Sequence, residues 1–317
     1  MDVSGTRQIA VIGAGLMGHG IAQSFARKDY SVALHDLKSS ILETALSQIR
    51  SNLEPFVEAG LETAERVQKV LLNIRTSVDL KEAVRGAHFV VEAVPEDLEL
   101  KRTLFEALDQ SCSGEVILAS NTSTLPLSEI GRKVKRKERL VITHWFNPPH
   151  IIPTVEVVRG ESTSREVLEL TFELMKRIGK RPVKILKDIP GFLVNRVQTA
   201  MFREILSLVE QGVAAPEEID AALRGSFGLR TAVLGPLATM DMGGLDVLYS
   251  GMKYLYPFLD RSTEIQKVLQ EKIERGDFGL KTGRGFFEYG AEEALAMSRC
   301  KRERDKKLLS LLKLISD

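Results

Sequence analysis

The stretch that leaves fewest folds open lies near the N-terminus. Gln8-Ile9-Ala10-Val11-Ile12 reads as a short buried strand, and Gly13-Ala14-Gly15-Leu16-Met17-Gly18 follows it without a break. Ile21, Ala22, Phe25 and Ala26 then recur at helical spacing. A G-x-G-x-x-G set between a strand and a helix predicts a turn that receives a pyrophosphate. Gly13 permits the tight turn, Gly15 lets the anion approach the backbone, and Gly18 lets helix and strand pack closely. Leu16 and Met17 complete the loop at the helix start, where free N–H groups and the positive dipole end favour an anion. A second strand, Ser31 to His35, leads to Asp36, about 20 residues on, where a ribose-binding carboxylate belongs. An anion there accepts hydrogen bonds from adenosine hydroxyls and repels a 2′-phosphate, so NAD rather than NADP is expected. His19 and His35 flank these motifs and read as partly solvated bystanders.

The chain then alternates. Residues 39–74 read as an amphipathic helical pair, opened by a Ser40-x-x-Glu43 capping box and carrying the stripe Val67, Val70, Leu71 and Ile74. Strand-like runs return at Phe89–Val94 and Val116–Ala119. The first leads into Pro95-Glu96-Asp97 and a charged helix containing Lys101. The second ends in Ser120-Asn121-Thr122-Ser123. Both loops follow the carboxyl ends of strands, where open α/β sheets bind ligands. Strands alternating with helical segments predict a mostly parallel, doubly wound sheet.

The chemistry concentrates in residues 140–158. A β-branched run delivers His144, Asn147-Pro148-Pro149 reverses the chain, and the return run carries Glu156. The two runs then lie side by side, with Glu156 against one ring nitrogen of His144 and the other nitrogen left to take a proton. Arg132–Arg139 reads as a solvated basic loop. Thr163-x-x-Glu166 opens another helix, and Pro182–Ile185 reads as a last strand. At Asp188-Ile189-Pro190-Gly191 strand patterns stop and helical ones take over. The expected division is therefore a domain over residues 1–189 and an all-helical one over 190–317. Asn195 sits one turn into the first helix of the latter. Gly235-Pro236 breaks the helical run, Lys281-Thr282-Gly283-Arg284-Gly285 forms a turn, and the tail from Ala291 is helical with Leu308, Leu311, Leu312 and Ile315 on one side.

Composition narrows the partners. Lys and Arg number 44 and Asp and Glu 43, so no bulk field points to nucleic acid. The two cysteines, Cys112 and Cys300, form no metal or redox motif. With no signal-like N-terminus and no bilayer-length apolar run, a reducing, cytoplasmic setting without metal or membrane is expected.

Taken together, the chain resembles the L-3-hydroxyacyl-CoA dehydrogenase family, with features of its λ-crystallin (L-gulonate 3-dehydrogenase) branch. The resemblance rests on the glycine loop, Val91-Glu92-Ala93-Val94-Pro95-Glu96, Ser120-Asn121-Thr122-Ser123, His144 with Asn147-Pro148, Glu156, Pro190–Arg196 and Lys281–Phe287. It implies a Rossmann domain with a helical insertion, a helical domain that dimerises, NAD as cofactor, and oxidation of a 3-hydroxyl to a ketone. It also implies His144 as base, Glu156 as its partner, and Ser123 and Asn195 as polar groups around the substrate. Glu96, Lys101, Asn147 and Lys281 fall on positions that contact the cofactor in that family. Two features bear on the substrate. Asn52–Ala59 offers Glu54 and Glu58 where the CoA-using branch carries lysines, and Arg230 resembles the λ-crystallin branch, well shaped for a free carboxylate. Lys281–Phe287 leans toward the CoA branch. A short free 3-hydroxy acid is expected, with a short-chain 3-hydroxyacyl-CoA as the alternative. A bulk structural protein or an NAD-binding regulator would have no need of the His–Glu pair.

Overall fold

A computed structural model describes residues 5–289 and 293–315. The chain forms two compact units, Met1–Arg196 and Val197–Asp317. The first is built on an eight-stranded sheet in the order β3-β2-β1-β4-β5-β6-β7-β8. Its strands are β1 (Gln8–Ile12), β2 (Ser31–His35), β3 (Ile74–Ser77), β4 (Phe89–Glu92), β5 (Ile117–Ser120), β6 (Leu140–Trp145), β7 (Thr154–Val158) and β8 (Arg181–Ile185). Every pairing is parallel except β6 with β7. The strand order reverses between β1 and β4, the switch point where a doubly wound sheet opens a crevice at its carboxyl edge.

Period-2 alternation splits the strands between two cores. Ile9, Val11, Val32, Leu34 and Val91 face one side, under α1 (Gly18–Ala26), α2 (Ser39–Glu58) and α7 (Arg165–Arg177). Ala10, Ile12, Val90, Leu118 and Ile142 face the other, under α4 (Leu80–Val84), α5 (Leu98–Ser111) and α6 (Leu127–Ile130). Phe25 of α1 is fully buried against Phe89 and Trp145. That burial contributes about 1.5–3 kcal/mol.

Several local expectations give way. The inserted pair is α2 and α3 (Ala64–Leu72), but Ile74 opens edge strand β3. Val70 and Ile74 are both buried, and an i, i+4 spacing fits a helix as well as a helix end followed by a strand. Helix α2 starts at Ser39 without a side-chain cap, so Ser40 is not its capping residue. Helix α7 is capped by Ser164, which accepts from Val167 N–H, while Thr163 turns inward to donate to the Leu140 carbonyl. His19 and His35 are buried, not partly solvated, and burial lowers the pKa of His35. Arg139 leaves the solvated basic loop and pairs with Asp109 at 2.7 Å in the interior.

The second unit is helical, with α9 (Pro216–Leu223), α10 (Leu229–Val233), α11 (Pro236–Gly243), α12 (Leu245–Leu255), α13 (Lys267–Glu274) and α14 (Glu293–Leu314). Helix α8 (Val194–Glu210) runs into it across the unit boundary. Gly235, at φ 76°, starts α11 with Pro236 as its first helical residue. The expected helix start at Ala291 lies outside the described residues. In α14, Leu309 is buried and Leu311 is exposed. Among the described residues no helix is long and apolar enough to cross a membrane.

Candidate active site

The glycine loop sits at the carboxyl end of β1, beside the switch point. Gly13 adopts φ 99°, and a Cβ there would lie 2.6 Å from the Ala93 carbonyl oxygen. A Cβ on Gly18 would stand 1.7 Å from the Gly13 carbonyl oxygen. Around Gly15 a Cβ would meet nothing within 4 Å, so the approach to the loop stays open. Met17 offers no side-chain cap to α1, and Leu16 points outward, 60 % exposed. His19 N–H turns back to the Gly15 carbonyl at 3.4 Å, and the other N–H groups of the first turn are left for an anion. Asp36 is hydrogen-bonded to this loop: Oδ2 accepts from Ala14 N–H at 2.9 Å, and Oδ1 from Leu37 N–H at 2.8 Å. The arrangement fits a dinucleotide, with room at the loop and a carboxylate at the end of β2.

His144 and Glu156 are register partners across the β6–β7 pair. The His144 Nδ1 to Glu156 Oε2 distance is 2.7 Å, and Glu156 is fully buried. Its other oxygen accepts from the N–H groups of Leu193 (3.1 Å) and Val194 (2.9 Å), where α8 begins. An acceptor-only carboxylate assigns the hydrogen to Nδ1 and leaves Nε2 as the basic nitrogen. Phe146 and Phe192 pack on the imidazole with centroid distances of 4.5 and 5.5 Å. Gly191 (φ 76°) and Phe192 (φ 49°) both adopt left-handed backbone. For Phe192 this costs of order 1 kcal/mol, and the turn aims the two following N–H groups at Glu156.

The loop after β5 closes over the same edge. Asn121 Oδ1 accepts from Trp145 N–H at 2.9 Å, tying it to the residue after His144. Asn195 Nδ2 donates to the Ser123 carbonyl at 3.4 Å, so the structure brings Ser123 and Asn195 together. Glu96 Oε1 accepts from Ser123 N–H and the Thr122 hydroxyl. Half-burial opposes ionisation of Glu96, but these hydrogen bonds and nearby Lys101 hold its pKa below the ordinary value. Lys101 is buried in an ion pair with Glu92 and does not stand open to solvent. Asn147 is exposed at the turn, in a cis peptide with Pro148. Arg230 is exposed on α10, after a π-helical turn at Arg224–Gly228, and Lys281 is exposed in its glycine turn; both belong to the second unit.

Sequence reasoning missed Lys180. Its ammonium donates to the carbonyls of Pro149 and Ile152 and lies 5.0 Å from the Trp145 ring centroid, clamping the turn that carries Asn147. Burial, with Arg27 nearby, pushes this amine down to about 7. A lone lysine before a strand carries no pattern that would have singled it out. The Phe192 packing was equally hidden, since it needs a left-handed non-glycine residue.

A doubly wound sheet with a glycine loop on its first strand, and a buried His–Glu pair across a later strand pair, defines a dinucleotide-dependent dehydrogenase. Residues 8–189 match the 3-hydroxyacyl-CoA dehydrogenase NAD binding domain, and residues 191–289 match the 3-hydroxyacyl-CoA dehydrogenase C-terminal domain. The chain belongs to the 3-hydroxyacyl-CoA dehydrogenase family, and NAD is its cofactor. It is 36 % identical over 312 residues to a 5-formyl-3-hydroxy-2-methylpyridine 4-carboxylate 5-dehydrogenase of Mesorhizobium japonicum, covering 98 % of each chain. A solved structure of a dehydrogenase of that name, described as an NAD+ dependent dismutase, superposes with a TM-score of 0.89 at 34 % identity, again over 98 % of each chain. A probable 3-hydroxybutyryl-CoA dehydrogenase of Bacillus subtilis is 37 % identical over 89 % of this chain and 97 % of its own. The human lambda-crystallin homolog is 33 % identical over 84 % of this chain and 86 % of its own.

Proposed function

We propose that the protein oxidises the 3-hydroxyl of a small hydroxy acid bearing a free carboxylate. The observation that carries the proposal is the His144 imidazole with Nδ1 tied to a buried carboxylate and Nε2 left basic. NAD, when bound, supplies the hydride acceptor. His144 Nε2 takes the hydroxyl proton as the hydride leaves, and Glu156 stabilises the imidazolium so formed. Ser123 and Asn195, joined at the loop edge, hydrogen-bond the reacting oxygen or a neighbouring carbonyl. Glu96 and Asn147 serve the cofactor, Lys101 acts there through its ion pair with Glu96, and Lys281 is a further cofactor group. In the reverse direction His144 returns the proton to the developing alkoxide.

Three observations favour a free acid over a thioester. Glu54 and Glu58 are exposed on α2, where a polyanion would meet repulsion. Arg230 is exposed with no ion pair among the described residues, and so is available to a carboxylate. The relative matched over 98 % of both chains is named for a pyridine carboxylate. The B. subtilis relative keeps a short 3-hydroxyacyl-CoA as the second reading. An NADH-linked screen of free 3-hydroxy acids, hydroxymethyl- and formyl-pyridine carboxylates, and CoA thioesters separates the two. Arg230→Met is expected to raise KM for the free acid about 10-fold or more, the loss of a charge-assisted bond of roughly 1.5–3 kcal/mol. Efficient oxidation of 3-hydroxybutyryl-CoA, with free acids inert and Arg230→Met silent, overturns the choice.

The same reading includes a homodimer formed through the helical unit. Leu237, Met242, Tyr254 and Phe258 are each 71–74 % exposed in the single chain, and α10, α11 and α12 bury no residue. Apolar exposure of this extent marks an interaction surface. Sedimentation should show a dimer, and a stable, active monomer would refute it. The Cys112 thiol is partly buried, and burial pushes it up to about 11.

A further inference from the structure

Beneath the loop that carries Ser123 lies a buried ion bridge that the proposed proton transfer does not use. Glu92 ends β4, Lys101 comes from α5, and both side chains are enclosed, at 0 and 1 % exposure. Glu92 Oε1 accepts from Lys101 Nζ at 2.5 Å and from Val94 N–H at 2.8 Å, while Oε2 accepts from the Ser120 hydroxyl at 2.6 Å. Lys101 also donates to the Val94 carbonyl and pairs with Glu96 Oε2, each at 3.3 Å. The second Glu96 oxygen gathers the loop. It receives Ser123 N–H (2.9 Å), Thr124 N–H (3.1 Å) and the hydroxyls of Thr122 (2.6 Å) and Thr124 (3.0 Å).

We propose that Glu92 is a positioning residue, which through Lys101 sets the Glu96 carboxylate and through Glu96 holds the Ser120–Thr124 loop that presents Ser123. The proposal rests on the reading of Ser123 as a group at the substrate. Stability alone does not account for the bridge, because a buried ion pair is often no more stabilising than apolar residues of the same volume. Geometry does account for it. Lys101 donates to Glu92 and to the Val94 carbonyl and forms an ion pair with Glu96, so it is held at the point where it joins β4 to the loop. Burial raises the pKa of Glu92 even with Lys101 beside it, whereas Glu96 is held ionised and so keeps its lone pairs for the loop.

The test uses the full chain with E92Q, K101M and the double variant, followed by steady-state kinetics, NADH binding and backbone amide exchange. Each single variant is expected to lower kcat about 10-fold or more, the effect of losing a hydrogen bond to a charged group, with KM for the substrate little changed. Exchange at the Ser123 and Thr124 amides should accelerate to a similar degree while β4 and β5 keep their protection. Because Glu92 reaches the loop through Lys101 and also directly through the Ser120 hydroxyl, the double variant should lose less than the product of the two single losses. Losses that multiply in the double variant, wild-type kcat in E92Q, or protection lost across β4 and β5 together would overturn the proposal. If the charge variants fail to fold, Glu92→Asp keeps the charge and shortens the reach. It should accelerate the same two amides, and unchanged exchange there counts against the proposal. Should the wild-type protein turn over no substrate in the screen, the functional reading fails. The exchange measurement still decides whether Glu92 holds the loop.

Discussion

Replacement of His144 by glutamine is expected to lower turnover by ~10²–10⁴ while NADH binding stays intact, the usual loss for a positioned general base. Glutamine can keep a hydrogen bond to Glu156 but has no basic nitrogen to take the substrate proton. The loss should therefore appear in kcat, with the cofactor affinity unaffected because the glycine loop and Asp36 are untouched. Glu156→Gln should also cost rate, for a different reason. Glu156 accepts from the imidazole and from two backbone N–H groups at the start of α8. A neutral amide removes the counter-charge of the imidazolium and, with one acceptor oxygen in place of two, cannot accept from both the imidazole and the Leu193 and Val194 N–H groups. Single-turnover kinetics separate the two effects from product release. A His144→Gln enzyme that keeps most of its rate would remove the mechanism proposed here.

The second large effect is steric. Gly18→Ala is expected to weaken NADH binding by ~100-fold, measured by fluorescence titration. The added methyl would stand 1.7 Å from the Gly13 carbonyl oxygen, a backbone atom that no side-chain rotation can move. Forced overpacking of this kind costs about 1–3 kcal/mol, and the upper end corresponds to two powers of ten in affinity. The glycine loop must open away from α1, which misaligns the N–H groups that receive the pyrophosphate. Gly15→Ala provides the contrast. Its Cβ meets nothing in the protein, so stability should hold while the ligand alone feels the methyl. Equal effects of the two substitutions on thermal stability would contradict this account.

Much of this molecule was legible in the order of its residues. The glycine loop, the second strand leading to Asp36 and the alternation of strands with helices are local patterns. Each imposes a backbone geometry wherever it occurs, and together they determined a doubly wound sheet open at its carboxyl edge. The Pro148-Pro149 reversal determined that the His144 and Glu156 runs would face each other, because neither proline can continue a strand and the hairpin sets the register. What the tertiary structure decided are the distant partners. The inward turn of Arg139 to Asp109, the burial of His19 and His35, the Lys180 clamp on the turn after Trp145 and the Glu92–Lys101–Glu96 bridge join residues far apart in sequence or turned inward by packing. A charged side chain reads as solvated until the chain around it closes. Only the packed fold supplies the carbonyls and carboxylates that make its burial tolerable.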